Sequence, residues 1–310
     1  MSTMKLIHEI RTLDNQVLLP AGAELTDETI ESLVSSNKHT TRTGSVLHHA
    51  SVKEDLAHFL NQPPYNVIFS DQKQVSEVLD LIESVHVAVP VLQSLDYFKQ
   101  HDFNTYRHIL VVSALSTLLA RDLVPDYQDR IHEAATGPAH DLGKVCVPLH
   151  ILKKTDPLTQ TERNILKQHT AAGYVLLSYY LKDSKSLTGE VARDHHERRD
   201  ASGYPRAIPL TDPMVEIVTV CDVYDALISP RPYRPISYDN RTALEEITGM
   251  AERNEIGWEA VKALVALNRK TKPHYSECIV SHEKRGTSPR GNVYGITAED
   301  ESHNSDYDDT

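Results

Sequence analysis

From about Lys73 onward, apolar residues recur every three or four positions for nearly 200 residues. Val75, Val78, Leu79, Ile82 and Val85 set the period, falling on one helical face. The pattern predicts helices over about 90–100, 104–122, 128–142, 160–182, 188–197, 212–228, 239–253 and 257–269. Local signals mark several starts. Thr159 with Glu162 reads as a capping box, and Asp212 before Pro213 reads as an N-cap with proline at the first helical position. The longest apolar run, "ILVVSALSTLLA" (109–120), is too short to span a bilayer and carries hydroxyls, so it reads as a buried helix. The fold class expected is mainly α.

The first 75 residues differ. "IRTLDNQVLLPAGAEL" suggests paired strands around a Pro-Ala-Gly turn, and Thr26 caps a helix that follows. Residues 38–51 look like loop, and "YNVIFS" (65–70) like a strand. The expected layout is a small α/β regulatory or interaction domain over 1–75 and a helical connector over 76–100. An all-helical bundle over 101–270 and a polar acidic tail over 271–310 complete it. The apolar stripe from Val75 reads as packing within the chain, with a connector or a dimer seam as the alternative.

Half of the formal charge of −12 sits in the last twelve residues, which hold six acids and no Lys or Arg. The balance argues against a nucleic-acid polymer as partner. Cys146, Cys221 and Cys278 are far apart without CxxC spacing, so neither a disulfide framework nor a thiolate zinc site is expected. "MSTMKLIHEI" turns polar at once, unlike a secretory signal, and a cytoplasmic protein without membrane insertion is the expectation.

Most of the 17 histidines are scattered, but a subset in the helical region stands out together with Asp141 and Asp222. "AHDLGK" places His140, Asp141 and Lys144 at one helix end; His108 and His169 sit within helices; His195 and His196 are adjacent in "HHERRDASGYP". Asp222 interrupts an apolar helix, where a buried carboxylate needs a compensating charge. Asp225, near Asp222 on the same helix, supports it or faces water. Imidazole and carboxylate together suit borderline divalent metals such as Zn, Fe or Mn.

Five ordered blocks, "DFNTYRH", "HDLGKVCVPLHILKK", "LTQTERNILKQHTAAG", "HHERRDASGYP" and "VCDVYDALISPRPYR", resemble the motifs of the HD-GYP family. These are HD-domain metal phosphohydrolases that cleave cyclic di-GMP, and the resemblance runs from about Asp102 to Leu267. It implies an HD-type bundle with His108, His140, Asp141, His169, His195, His196 and Asp222 as ligands to two divalent ions, Fe or else Mn. Asp141 would bridge them. Lys144 would contact the scissile phosphate, Arg231 and Arg234 other substrate oxygens. Tyr204 of the Gly-Tyr-Pro loop would touch substrate or only shape the wall. The products would be pGpG, GMP or both.

Four positions depart from the pattern. Asn104 stands where the family has Tyr or Glu, Ile109 replaces the usual Ser after the histidine, Ala201 replaces a Gly in a turn that often wants positive φ, and Gly257 stands where an Asp is frequent. Asn104 is one turn before His108 and is expected to face the site. Two readings stay open: a cyclic di-GMP phosphodiesterase, or a receptor that keeps metals and binds cyclic di-GMP or a signalling protein without turnover. A third is an HD phosphohydrolase acting on another nucleotide. A signalling partner would dock through the Gly-Tyr-Pro loop or the amino-terminal domain.

Overall fold

Helical periodicity becomes helix over most of the chain in the computed structural model, which describes residues 4–38, 40–231, 236–290 and 297–299. Arg234 and residues 291–296 and 300–310 of the tail lie outside the described residues. The amino-terminal part pairs β1 (Met4–Lys5) with β4 (Glu24–Leu25) and β2 (Ile10–Arg11) with β3 (Val17–Leu19), all antiparallel. Helix α1 (Asp27–Ser36) follows, its Thr26 hydroxyl accepting from the Thr29 N–H. Residues 38–51 are not all loop, because β5 (Thr43–Ser45) pairs with β6 (His86–Ala88).

Helices α2 (Val52–Leu60) and α3 (Tyr65–Ile68) come next. The latter corrects the strand expected at 65–70. Its apolar residues are too few to set a period, and burial of Tyr65 and Ile68 selects the helical turn. Helix α4 (Gln72–Ser84) carries the stripe, and it packs against α6 (Phe103–Leu123) and α7 (Tyr127–Thr136) of its own chain. Helix α5 (Val89–His101) leads into α6, which is buried along almost its whole length.

Two expected helices are broken. The span 128–142 is helical only to Thr136, then runs through 3-10 turns at 137–139 and 142–146. The span 160–182 divides at Gln168 into α9 (Gln160–Lys167) and α10 (His169–Leu181), with the short α8 (Leu149–Leu152) before them. Both breaks fall beside site histidines. The Thr159–Glu162 capping box and the Asp212 cap both form as expected. The bundle closes with α11 (Leu187–Asp194), α12 (Pro213–Ile228), α13 (Asn240–Glu252) and α14 (Trp258–Leu267). Among the described residues no helix is long and apolar enough to cross a membrane.

One apolar cluster runs from Leu6 and Ile10 through Tyr65 and Phe98 to Leu264. Polar contacts tie the amino-terminal part to α10. The Gln168 side chain accepts from the Ile7 and His8 N–H groups at 2.6 and 3.0 Å and donates to the His8 carbonyl at 2.6 Å. The Asn37 amide donates to the Tyr179 carbonyl at 2.7 Å.

Glu133 on α7 is fully buried, and neither of its oxygens finds a donor among the described residues. Burial pushes its carboxyl up to about 8 from the usual 4.5. The native state therefore keeps a proton that the unfolded chain releases above about pH 4.5, so stability falls as pH rises between those two values. Glu133→Gln keeps the shape of the protonated acid without that titration. Its melting temperature should match the wild type near pH 4 and exceed it near pH 8.5, a gap that calorimetry across this range would measure.

Candidate metal centre

The site forms where α6, the turn after α7, the start of α10, the end of α11 and the middle of α12 meet. His108 comes from α6, and His140 and Asp141 lie between the two 3-10 turns. His169 opens α10, His195 and His196 follow α11, and Asp222 comes from α12. All are buried except His196, which is partly exposed.

The donors divide into two groups. His108, His140 and Asp222 offer ligand atoms within 4.8 Å of one another, and so do His169, His195 and His196. Asp141 stands between them. Its Oδ2 is 3.5 Å from both His108 Nε2 and His140 Nε2, while Oδ1 is 3.4 Å from His169 Nε2 and 3.9 Å from His195 Nε2. One carboxylate thus turns one oxygen toward each group.

Backbone acceptors decide the tautomers. His140 Nδ1 lies 2.7 Å from the Gly137 carbonyl, His169 Nδ1 2.7 Å from Leu166, and His195 Nδ1 3.1 Å from both Val191 and Ala192. A carbonyl only accepts, so each Nδ1 carries the proton and each Nε2 lone pair points inward. His108 donates from Nδ1 to Asp225 Oδ2 at 2.6 Å, and its Nε2 lies 3.0 Å from Asp222 Oδ1, a contact that a bound cation would replace. His169 Nε2 and His195 Nε2 then face each other at 3.4 Å as two acceptors. His140 Nε2 and Asp141 Oδ1 are buried without any hydrogen-bond partner among the described residues. Such a convergence of acceptors fits a cation and little else.

Charge follows burial. Desolvation, with neighbouring imidazoles adding to it, holds His195 down to about 3. Desolvation also takes His169 to about 4, Lys144 contributing. Both are neutral at pH 7, the form that binds metal. Burial opposes the charge of Asp141, but Lys144 and the histidines overcome it and keep the carboxyl well below its usual range. Asp222 is depressed likewise, against its own burial, chiefly by its contact with His108.

Glycines allow the close approach. A Cβ at Gly143 would sit 1.9 Å from the His169 carbonyl oxygen and 2.4 Å from Gly173 N, so the turn bearing Asp141 can lie against α10 only without one. At Gly203 a Cβ would meet Glu197 Cα and His196 O at 2.4 Å. Here glycine serves contact, since its φ is not in the left-handed region. Glu197, fully buried, accepts from Arg206 N at 2.6 Å and Ile208 N at 3.2 Å and so clamps the Gly-Tyr-Pro loop. Tyr204 stacks on His196 with ring centres 4.6 Å apart. Ala201 has φ +63°, the strained conformation expected at a glycine position.

The centre opens on a pocket of about 340 Å³ that Lys144, His196, Arg198, Tyr204, Asp222 and Arg231 help to line. Lys144 Nζ is 2.5 Å from Asp141 Oδ2, and Arg231 Nη2 is 3.4 Å from Asp225 Oδ2. On α6 the pocket is lined by Thr105 and His108, while Asn104 is not among its lining residues. Thr105, three residues before His108, lines the wall, and Asn104, four residues before it, is partly buried. Gly257 also has a local cause. Its N–H donates to Glu216 Oε1 at 2.7 Å, and a Cβ there would strike the Arg199–Glu216 ion pair. Asp225, left open by the sequence, is buried behind His108 and held as its acceptor.

An HD-domain profile matches residues 85–257. The chain belongs to the HD-domain family, and its five motif blocks are those of the HD-GYP branch. A cyclic di-GMP phosphodiesterase of Thermotoga maritima is 38% identical over 149 residues, which are 46% of this chain and 40% of that protein. The cyclic di-GMP phosphodiesterase PA4108 of Pseudomonas aeruginosa is 36% identical over 191 residues, 59% of this chain and 44% of the relative. A 3'3'-cGAMP-specific phosphodiesterase of Vibrio cholerae is 31% identical over 184 residues, 58% and 39% of the two chains. The chain thus spans about two fifths of the length of each of these relatives. Among solved structures, the HDG"Y"P protein Bd1817 of Bdellovibrio bacteriovorus aligns over 87% of this chain and 96% of its own, at 16% identity and a TM-score of 0.46.

Gly143→Ala should force the Asp141 turn away from α10. The expected loss is about 1–3 kcal/mol of stability, read by denaturant unfolding, together with weaker divalent-metal binding in an equilibrium titration.

Proposed function

We propose that this chain is a cyclic di-GMP phosphodiesterase that uses two divalent cations, iron or manganese. The observation that carries the reading is Asp141, buried with one carboxylate oxygen toward each of two three-donor groups. His108, His140 and Asp222 would hold one cation and His169, His195 and His196 the other, with Asp141 shared. When bound, such a pair activates a water and neutralises charge developing at phosphorus. The names of the relatives support cyclic di-GMP as substrate.

The chain's own residues supply the rest. Lys144, held by Asp141 and lining the pocket, places a cation against the phosphate that is attacked. Arg231 and Arg234 would bind other substrate oxygens, and Tyr204 forms the wall beside His196. Water adds its oxygen to phosphorus, the bond to the ribose oxygen breaks, and that oxygen leaves with a proton. One such cleavage of cyclic di-GMP gives pGpG, and a second gives GMP.

Protein purified without oxygen and loaded with Fe(II) or Mn(II) should convert cyclic di-GMP to pGpG or GMP, followed by chromatography. Asp141→Ala should bring product to background and lower the metal bound per chain. Lys144→Ala should keep the metal yet slow turnover by about 100-fold or more. Intact cyclic di-GMP in the presence of metal-loaded wild type would overturn the hydrolase reading and leave a receptor, and 3'3'-cGAMP in parallel tests the choice of substrate.

A further inference from the structure

A residue of the amino-terminal part reaches the metal centre from behind. Tyr65, on α3, is 1% exposed, and its hydroxyl donates to Asp225 Oδ1. The other oxygen of that carboxylate accepts from His108 Nδ1 at 2.6 Å. The path from Tyr65 to the inward-facing His108 Nε2 is therefore a phenol, a carboxylate and one imidazole, all buried. Around it, Ser229 Oγ donates to Asp225 Oδ1 at 2.8 Å and lies 3.0 Å from the phenol oxygen. The Arg107 guanidinium sits 5.7 Å from the Tyr65 ring centre and 3.7 Å from Asp225 Oδ1.

The arrangement has a direction. Asp225 must stay correctly turned for His108 to keep its proton on Nδ1 and so leave Nε2 to a metal. Rotation of the carboxylate would release the ring, and the phenol, fixed in the apolar cluster that contains Ile68 and Phe98, opposes that rotation. A partner carboxylate behind a ligating histidine also raises the basicity of the ring. We propose that Tyr65 is a positioning residue for the metal centre, coupling the amino-terminal part of the chain to the His108 group through Asp225. This rests on the metal-centre reading above and not on the identity of the substrate.

The consequence is selective. Loss of the phenol hydroxyl loosens the His108, His140 and Asp222 group and leaves the His169, His195 and His196 group intact. Removing a supporting contact of this kind costs roughly 10–100-fold in metal affinity.

The full-length chain is titrated anaerobically with Mn(II), with bound metal counted by elemental analysis and followed by electron paramagnetic resonance. Wild type, Tyr65→Phe, Asp225→Asn and the double variant are compared, with unfolding of each metal-free protein measured in parallel. Tyr65→Phe should weaken one of two binding events about tenfold or more and abolish the spin-coupled signal of the pair at limiting metal. Its metal-free unfolding should stay close to wild type. The double variant should lose little beyond Asp225→Asn alone, because both act through one path. Two unchanged binding events in Tyr65→Phe, or equal weakening of both, would overturn the proposal, as would additive losses in the double variant. A wild type that binds no metal overturns it too. Metal binding without hydrolysis sinks only the phosphodiesterase reading, since the titration still measures the coupling.

Discussion

Three imidazole lone pairs, the Nε2 of His108 and two carboxylates point into one buried volume, and everything else in the molecule has to tolerate that. The backbone makes it unavoidable. Carbonyls of Gly137, Leu166, Val191 and Ala192 take the Nδ1 protons of three of the histidines, and so oblige the opposite nitrogens to act as acceptors. Buried acceptors without donors cost free energy, and a group of them facing each other costs more. A positive charge relieves all of them together. The fold is thus arranged against its own electrostatics at one place, the usual mark of a site built for something the chain does not contain.

Supporting that arrangement takes both ends of the chain. Gly143 lets the Asp141 turn press on α10, and Gly203 lets the Gly-Tyr-Pro loop close on His196. Glu197 then holds the loop through backbone N–H groups. The amino-terminal part contributes Tyr65 behind His108 and the backbone of residues 7–8 beside His169, through Gln168. One apolar cluster carries both halves, so a disturbance of the small strands and helices reaches the centre by packed contacts.

Much of this was legible in the residues themselves. Helix period, the Thr159–Glu162 box and the Asp212 cap are local properties, and they place most helices within a residue or two. Asp222 stands out because it interrupts an apolar helix, whereas the full set of His and Asp ligands follows from the resemblance of the five motif blocks. What escaped depends on contacts across long stretches of chain. Tyr65 lies 160 residues from Asp225, in a segment whose composition suggested a strand. Glu133 looks like a solvated helix acid until α6, α11 and α4 pack against α7 and bury it. Asn104 and Thr105 are neighbours, and only the packed orientation of α6 decides which of them lines the pocket.

Residue types and spacing alone determined that the chain is mainly helical and that its first part is a small α/β element. These follow from short-range rules, since period, capping and turn chemistry act within a few residues. Tertiary structure decided the division of the donors into two groups, the placing of Asp141 between them, the tautomer of each ring and the role of Tyr65. Those depend on directions of lone pairs set by elements far apart in sequence, and direction is a property that packing creates.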